Sequence, residues 1–158
     1  MKTSVFPPYE TLRLEWASQH VLVVQLNRPR KRNAMNPQLW GEIGHCFQHT
    51  VPLLLECRCV ILCGAGPVFS AGIDIGAMML GGGGSGIGKG TADPATRALH
   101  TLREGGAWQR SWRSINLCPK PVIAAIHKGC FGAALEMVCF ADIRMCTEDT
   151  TFQAPEVT

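Results

Sequence analysis

Strands alternating with helices predict an α/β domain built on a mostly parallel sheet. Short apolar runs at 57–64 and 121–127 have the length and composition of buried parallel strands. An apolar hairpin pattern at 11–27 precedes them, and helical stripes at 37–50 and 94–116 separate them. The chain has 158 residues, an ordinary length for one domain, and 46% of them are hydrophobic against 17% charged. That composition excludes a disordered tail and supplies material for a core. Fifteen basic and 12 acidic residues leave a net charge of +3. So small an excess argues against nucleic acid as a partner, which needs a basic stripe, but suits one anionic small ligand.

The N-terminal strands are expected at 11–16 and 20–27, where Leu12, Leu14 and Trp16 alternate with polar neighbours. The basic segment 28–36, RPRKRNAMN, connects them to a helix that Asn36 caps and Pro37 starts. Leu39, Trp40, Ile43, Cys46 and Phe47 form its apolar stripe, and Pro52 interrupts it. A strand at 57–64 leads into the turn GAGPVFSAGID, followed by a helical turn at 75–80. GGGGSGIGKG at 81–90 reads as a flexible surface insertion; Gly90 stands where a phosphate-binding loop needs a hydroxyl. A long helix is expected from Pro94 to Asn116, with Leu99, Leu102, Trp108, Trp112 and Ile115 as packing residues. CPKP then launches a strand at 121–127, a small-residue turn opens a helix at 133–140, and a strand at 141–147 precedes the edge-like TTFQ. A parallel sheet needs cover on both faces, and the sequence after 147 offers none, so the chain reads as the front part of a larger fold.

No apolar run is long enough for a membrane helix, and MKTSVFPPYE has neither the apolar core of a signal peptide nor an Arg-rich transit pattern. The eight cysteines mostly flank apolar residues, as small buried hydrophobes do, which suits a reducing compartment. Metal chemistry is not expected: His45 and His49 lack a third ligand, and the cysteines lack paired spacing.

Two strand-to-turn junctions carry the chemistry. Small residues in FSAGID at 69–74 allow close backbone approach to a ligand, and successive N–H groups there can hold an oxygen anion. In KGCFGAALE at 128–136, a glycine and small residues open a helix with free N–H donors. Two such donors aimed at one point make an oxyanion hole. Glycine-rich turns after strands are common, however, and neither is specific alone. Glu136 lies in the apolar stretch ALEMVCF, where a carboxylate is either functional or turned to solvent; Glu156 follows Pro155. Asp74 and Asp142 read as capping or packing carboxylates, and His127 as a strand-end residue packed on the turn.

NRPRKRNAMN, GAGPVFSAGID, CPKPVIAAIHKGCFGAALE and ADIR…FQAPE together resemble the crotonase family, the enoyl-CoA hydratase/isomerase superfamily, over nearly the whole chain. The resemblance implies a crotonase-like spiral of ββα units, of which this is the N-terminal portion without the C-terminal helical trimerisation part. It implies an acyl-CoA substrate, no cofactor beyond the coenzyme A of that substrate, and a homotrimer or hexamer for a full-length chain. The two backbone donors then match Ile73 and Ala133, with Ala134 alongside, and the carboxylates match Glu136 and Glu156. Ser70, Ala71, Gly72, Ile73 and Asp74 match the first ligand-facing turn, while Arg30 and Lys31 fall where the family meets the CoA phosphates. The wording is most like that of the Δ3,5-Δ2,4-dienoyl-CoA isomerases of unsaturated fatty-acid β-oxidation, which implies a mitochondrial or peroxisomal setting. Glu136 with Glu156 is instead the pair of the hydratases, so 2-enoyl-CoA hydration stands as the alternative, as does acyl-CoA binding without turnover. Gly132-Ala133-Ala134 replaces the family's usual glycine triplet.

Overall fold

A computed structural model describes residues 6–80 and 93–155. β1 (Leu12–Ser18) and β2 (Val21–Leu26) form an antiparallel hairpin in which Leu12 faces Leu26 and Trp16 faces Leu22. β3 (Cys59–Gly64) and β4 (Val122–Ile126) then add in parallel. β5 (Gly129–Phe131) leaves this sheet, and β6 (Ile143–Cys146) returns to pair with β4, giving the order β1-β2-β3-β4-β6. β7 (Thr151–Gln153) pairs with β5 as a separate two-stranded ribbon. Between the strands lie α1 (Pro37–His45), α2 (Ile75–Leu80), α3 (Pro94–Asn116) and α4 (Ala133–Val138).

Period-two alternation decides which sheet face is buried. Leu22, Val60 and Val122 lie side by side across β2, β3 and β4, as do Val24, Leu62 and Ala124, and none is exposed. This face joins one core with Leu39, Trp40 and Ile43 of α1, Phe47 just beyond it and Ile115 of α3. Each large side chain so buried contributes about 1.5–3 kcal/mol. Trp40 stacks on Trp108 at 4.8 Å and meets Trp112 at 5.7 Å, locking α1 against α3. The opposite face carries the row Val23, Ile61, Ile123 and Ile143, half-buried except for Ile143, which is half exposed.

The helix boundaries follow their caps. Asn36 accepts the Leu39 N–H at 3.0 Å and Pro37 opens α1; the coil continues as a π turn over Cys46–Thr50 and tightens to a 3-10 turn at Pro52. Asp93 caps α3 through the N–H groups of Ala95 and Thr96. Leu99 and Leu102 are exposed, against expectation, because the buried positions of α3 among the described residues all lie in its C-terminal half. The residues 129–131, expected as turn, form β5, whose partner β7 is remote in sequence and invisible to local pattern. Cys46, Cys57 and Cys130 are buried as expected, but Cys139 and Cys146 are exposed. The glycine-rich run 81–90 and Glu156 lie outside the described residues.

Glu42 ties the N-terminal segment to α1. Its carboxylate is buried and accepts from the N–H of Glu10 (2.9 Å), the N–H and hydroxyl of Thr11 (2.8 and 2.5 Å) and the Gln38 amide (2.7 Å). Burial opposes its ionisation, but these bonds outweigh burial and hold its pKa below the usual carboxylate range. A carboxylate depressed in this way stabilises the fold above its unfolded-state pKa of about 4.3, and the contribution disappears as pH falls through the folded value. Glu42→Gln is therefore expected to lower stability at neutral pH and to flatten the acid limb of the stability curve. Urea unfolding of both proteins across the acid range checks this, with the gap between them closing as pH falls.

Candidate active site

The basic connection after β2 is a scaffold for the turn that follows β3. Arg32 and Asn33 take φ of 49° and 53°, the left-handed region that asparagine tolerates. Asn33 is fully buried; its amide donates to the carbonyls of Ala65 (2.7 Å), Val68 (3.1 Å) and Phe69 (3.0 Å) and accepts the Arg28 N–H at 2.9 Å. Its own carbonyl accepts the buried Ser70 hydroxyl at 2.8 Å. Arg28 in turn pairs with Asp74 at 3.0 Å, and Asp74 accepts the Ala77 N–H to cap α2. Burial opposes ionisation of Asp74, but the Ala77 N–H and the Arg28 guanidinium prevail and hold its pKa down. Arg30 and Lys31, on a 3-10 turn, are exposed.

Within 70–75 the backbone donors are distributed unevenly. Ser70 N–H bonds Gly129 O, Ala71 N–H bonds Arg32 O, Gly72 N–H bonds the Ser70 hydroxyl and Asp74 N–H bonds Met35 O. Met35 also donates to Gly72 O, so its single parallel bridge brackets Ile73. That pattern turns the Ile73 N–H to the other side, where it meets no acceptor among the described residues.

A second donor arrives from α4. Gly132, with φ of 49°, is held by its N–H on Gln153 O at 2.9 Å, and the helix starts at Ala133. As the first helical residue, Ala133 has no intrahelical acceptor for its N–H. The two turns meet backbone to backbone: Ser70 bridges Cys130, and a methyl on Gly72 would sit 2.7 Å from Phe131 O and 3.7 Å from Ala133 N. Only glycine, here at φ of +85°, allows this approach. The turn that carries Ile73 and the N-terminus of α4 at Ala133 are thus brought together. The N–H groups of Ser70 and Ala71 serve the scaffold instead, the Asp74 carboxylate is held by Arg28 and Ala77, and Ala134 is buried behind the turn.

Glu136 lies one turn along α4 from Ala133, and its side chain is exposed. It lines a groove between α3 and α4. His127 packs its imidazole on Gly66 O at 3.0 Å, and Asp142 accepts the Val122 N–H at 2.8 Å, so both are structural. Among the described residues no cluster of His, Cys, Asp or Glu is arranged to hold a metal ion, and no helix is long and apolar enough to cross a membrane. Asn33 and Arg28 escaped the sequence reading; the available signal was an asparagine within a basic run next to a glycine-rich turn.

The model of the family described as enoyl-CoA hydratase/isomerase matches residues 17–158. The chain belongs to that family. It is 44% identical over 150 residues to the mitochondrial Δ(3,5)-Δ(2,4)-dienoyl-CoA isomerases of Mus musculus and Homo sapiens, covering 94% of this chain and 44% of each relative. A peroxisomal dienoyl-CoA isomerase of Arabidopsis thaliana is 30% identical, with 94% of this chain and 53% of the relative covered. The chain therefore spans about half the length of the curated relatives it matches. Its fold is that of an enoyl-CoA hydratase/carnithine racemase from Magnetospirillum magneticum, with a TM-score of 0.75 at 27% identity over 90% of this chain and 48% of that one. An enoyl-CoA hydratase/isomerase from Marinobacter aquaeolei gives 0.74 at 26% over 90% of this chain and 51% of that one.

Two substitutions test the scaffold. Asn33→Ala leaves buried backbone groups without partners and is expected to destabilise by about 3 kcal/mol, read from urea unfolding. Gly72→Ala puts a methyl against Phe131 O at an unfavourable φ; a loss of about 2 kcal/mol or more in thermal unfolding is expected.

Proposed function

We propose that the chain carries the acyl-CoA site of a Δ3,5-Δ2,4-dienoyl-CoA isomerase, with the Ile73 and Ala133 N–H groups as its oxyanion hole. The observation that carries this reading is the pair of backbone donors left without acceptors where Gly72 brings the two turns into contact. A thioester oxygen accepting from both N–H groups gains negative charge as the neighbouring carbon loses its proton. Fixed donors stabilise that enolate without reorganisation, and removing one such donor typically costs a factor of about 100–1,000 in rate. The 44% identity to the mammalian isomerases supports the choice of branch.

In the proposed reaction a carboxylate takes the proton from C2 of the 3,5-dienoyl group. The electron pair shifts through the conjugated system, and a carboxylic acid returns a proton at C6, which leaves the 2,4-diene. No atom is gained or lost and no redox partner is required. Glu136 and Glu156 are the carboxylates proposed for this exchange, Glu136 because it stands one helical turn from the Ala133 N–H. Coenzyme A phosphates are proposed to meet Arg30 and Lys31, whose side chains are exposed beside the scaffold turn. The mitochondrial and peroxisomal relatives support such a setting, and a homotrimeric or hexameric full-length assembly is proposed from the family resemblance.

Glu136 also supports the second reading. A glutamate pair suits 2-enoyl-CoA hydration, in which two carboxylates orient a water that adds at C3. Incubation with a 3,5-dienoyl-CoA is expected to raise the conjugated 2,4-dienoyl absorbance, whereas hydration would bleach the band of a 2-enoyl-CoA. Binding with neither change would support acyl-CoA binding without turnover. Under the isomerase reading Glu136→Gln is expected to lower kcat about 100-fold or more with KM little changed, which steady-state kinetics on the dienoyl-CoA reads directly.

A further inference from the structure

The groove between α3 and α4, about 750 Å³ in volume, is lined by both aromatic rings and cationic side chains. Trp112 and Phe140, with ring centroids 6.4 Å apart, supply an apolar wall that fits a methylene chain. Arg110 and Arg113 border the same groove, and both side chains are exposed. Neither forms an ion pair with a described residue, although Arg28 and Lys128 both have carboxylate partners. The Arg110 guanidinium folds back along α3, where it lies 3.3 Å from the position of a methyl on Gly106. A bare glycine there leaves the guanidinium room.

The order of groups along α4 gives the groove a direction. Ala133 opens the helix, Glu136 follows one turn later, and Phe140, beside Trp112, lies just past its end. At 1.5 Å per residue this is a path of about 10 Å from the candidate oxyanion donor to the level of Trp112. Arg110 and Arg113, three residues apart on α3, share one face of that helix and border both this groove and the neighbouring one lined by Phe47, Pro52 and Leu117.

We propose that this groove selects acyl groups that end in a carboxylate, with Arg110 and Arg113 holding the distal carboxylate while the thioester lies on Ile73 and Ala133. The proposal rests on the thioester reading above and names the substrate class of that site. A planar guanidinium donates two parallel hydrogen bonds to a carboxylate, a match that a methyl-ended chain cannot use.

Calorimetric titration with two unreactive saturated thioesters, octanoyl-CoA and its ω-carboxy counterpart suberoyl-CoA, tests it. Suberoyl-CoA is expected to bind about tenfold more tightly. In the Arg110→Gln/Arg113→Gln protein that advantage should vanish while octanoyl-CoA affinity is kept. In the unaltered protein the advantage should also shrink as salt rises from about 0.05 to about 0.5 M, a measurement independent of whether the double variant folds. Equal affinities, or an advantage that survives the double variant or high salt, would overturn the proposal and leave the thioester reading standing. Failure of the folded protein to bind either thioester would overturn both.

Discussion

The buried amide of Asn33 is the interaction on which the candidate site depends. A glycine-rich turn has little side-chain surface with which to hold itself, and its carbonyls must find donors if they are buried. Asn33 supplies one amide to three of those carbonyls and one oxygen to the Arg28 N–H. The cost of its left-handed backbone is offset by bonds that no other side chain of its size could make in that place. Through the Ser70 hydroxyl the same clasp reaches the turn that presents Ile73. The position of the candidate donor is thus set by a residue held in the scaffold behind it.

A second dependence runs through the small ribbon of β5 and β7. Phe131 pairs with Gln153, and Gln153 O accepts the Gly132 N–H, which fixes the start of α4. The large sheet ends at β6, so this ribbon alone couples the last described strand to the donor turn. Lys128 takes φ of 58° at the point where the chain leaves β4, and its ion pair with Asp149 closes the ribbon from the outside. Packing of α1 against α3 through Trp40, Trp108 and Trp112 supports the opposite flank; the buried indole N–H groups of Trp40 and Trp112 have no acceptor among the described residues. Burial and ring stacking offset that loss.

Much of the architecture was legible in local pattern. The 57–64 and 121–127 runs became β3 and β4, and Asn36-Pro37 started α1 where its capping chemistry required. The two turns of the site were readable as close-approach backbone, and the family resemblance agreed with the matched family and fold. What escaped was set by tertiary context. β5 depends on a partner some twenty residues away, and nothing in GCF announces it. Leu99 and Leu102 fit a helical stripe, but a stripe does not say how far its partner helix extends. Glu42 looks like any charge on a helix, and only the fold brings the Glu10 and Thr11 N–H groups to it. ALEMVCF left open whether Glu136 is functional or turned to solvent, and the fold shows its side chain exposed.

The bridge of Met35 around Ile73 has an evolutionary consequence. Because the exposed donor is a main-chain N–H selected by pairing parity, no codon at position 73 encodes it and no side-chain replacement other than proline removes it. The N–H of Ala133, another main-chain donor, has the same independence from its side chain. Side-chain substitution can then act on the groove beside the donor and on Glu136 within it, while the main-chain donor itself stays in place.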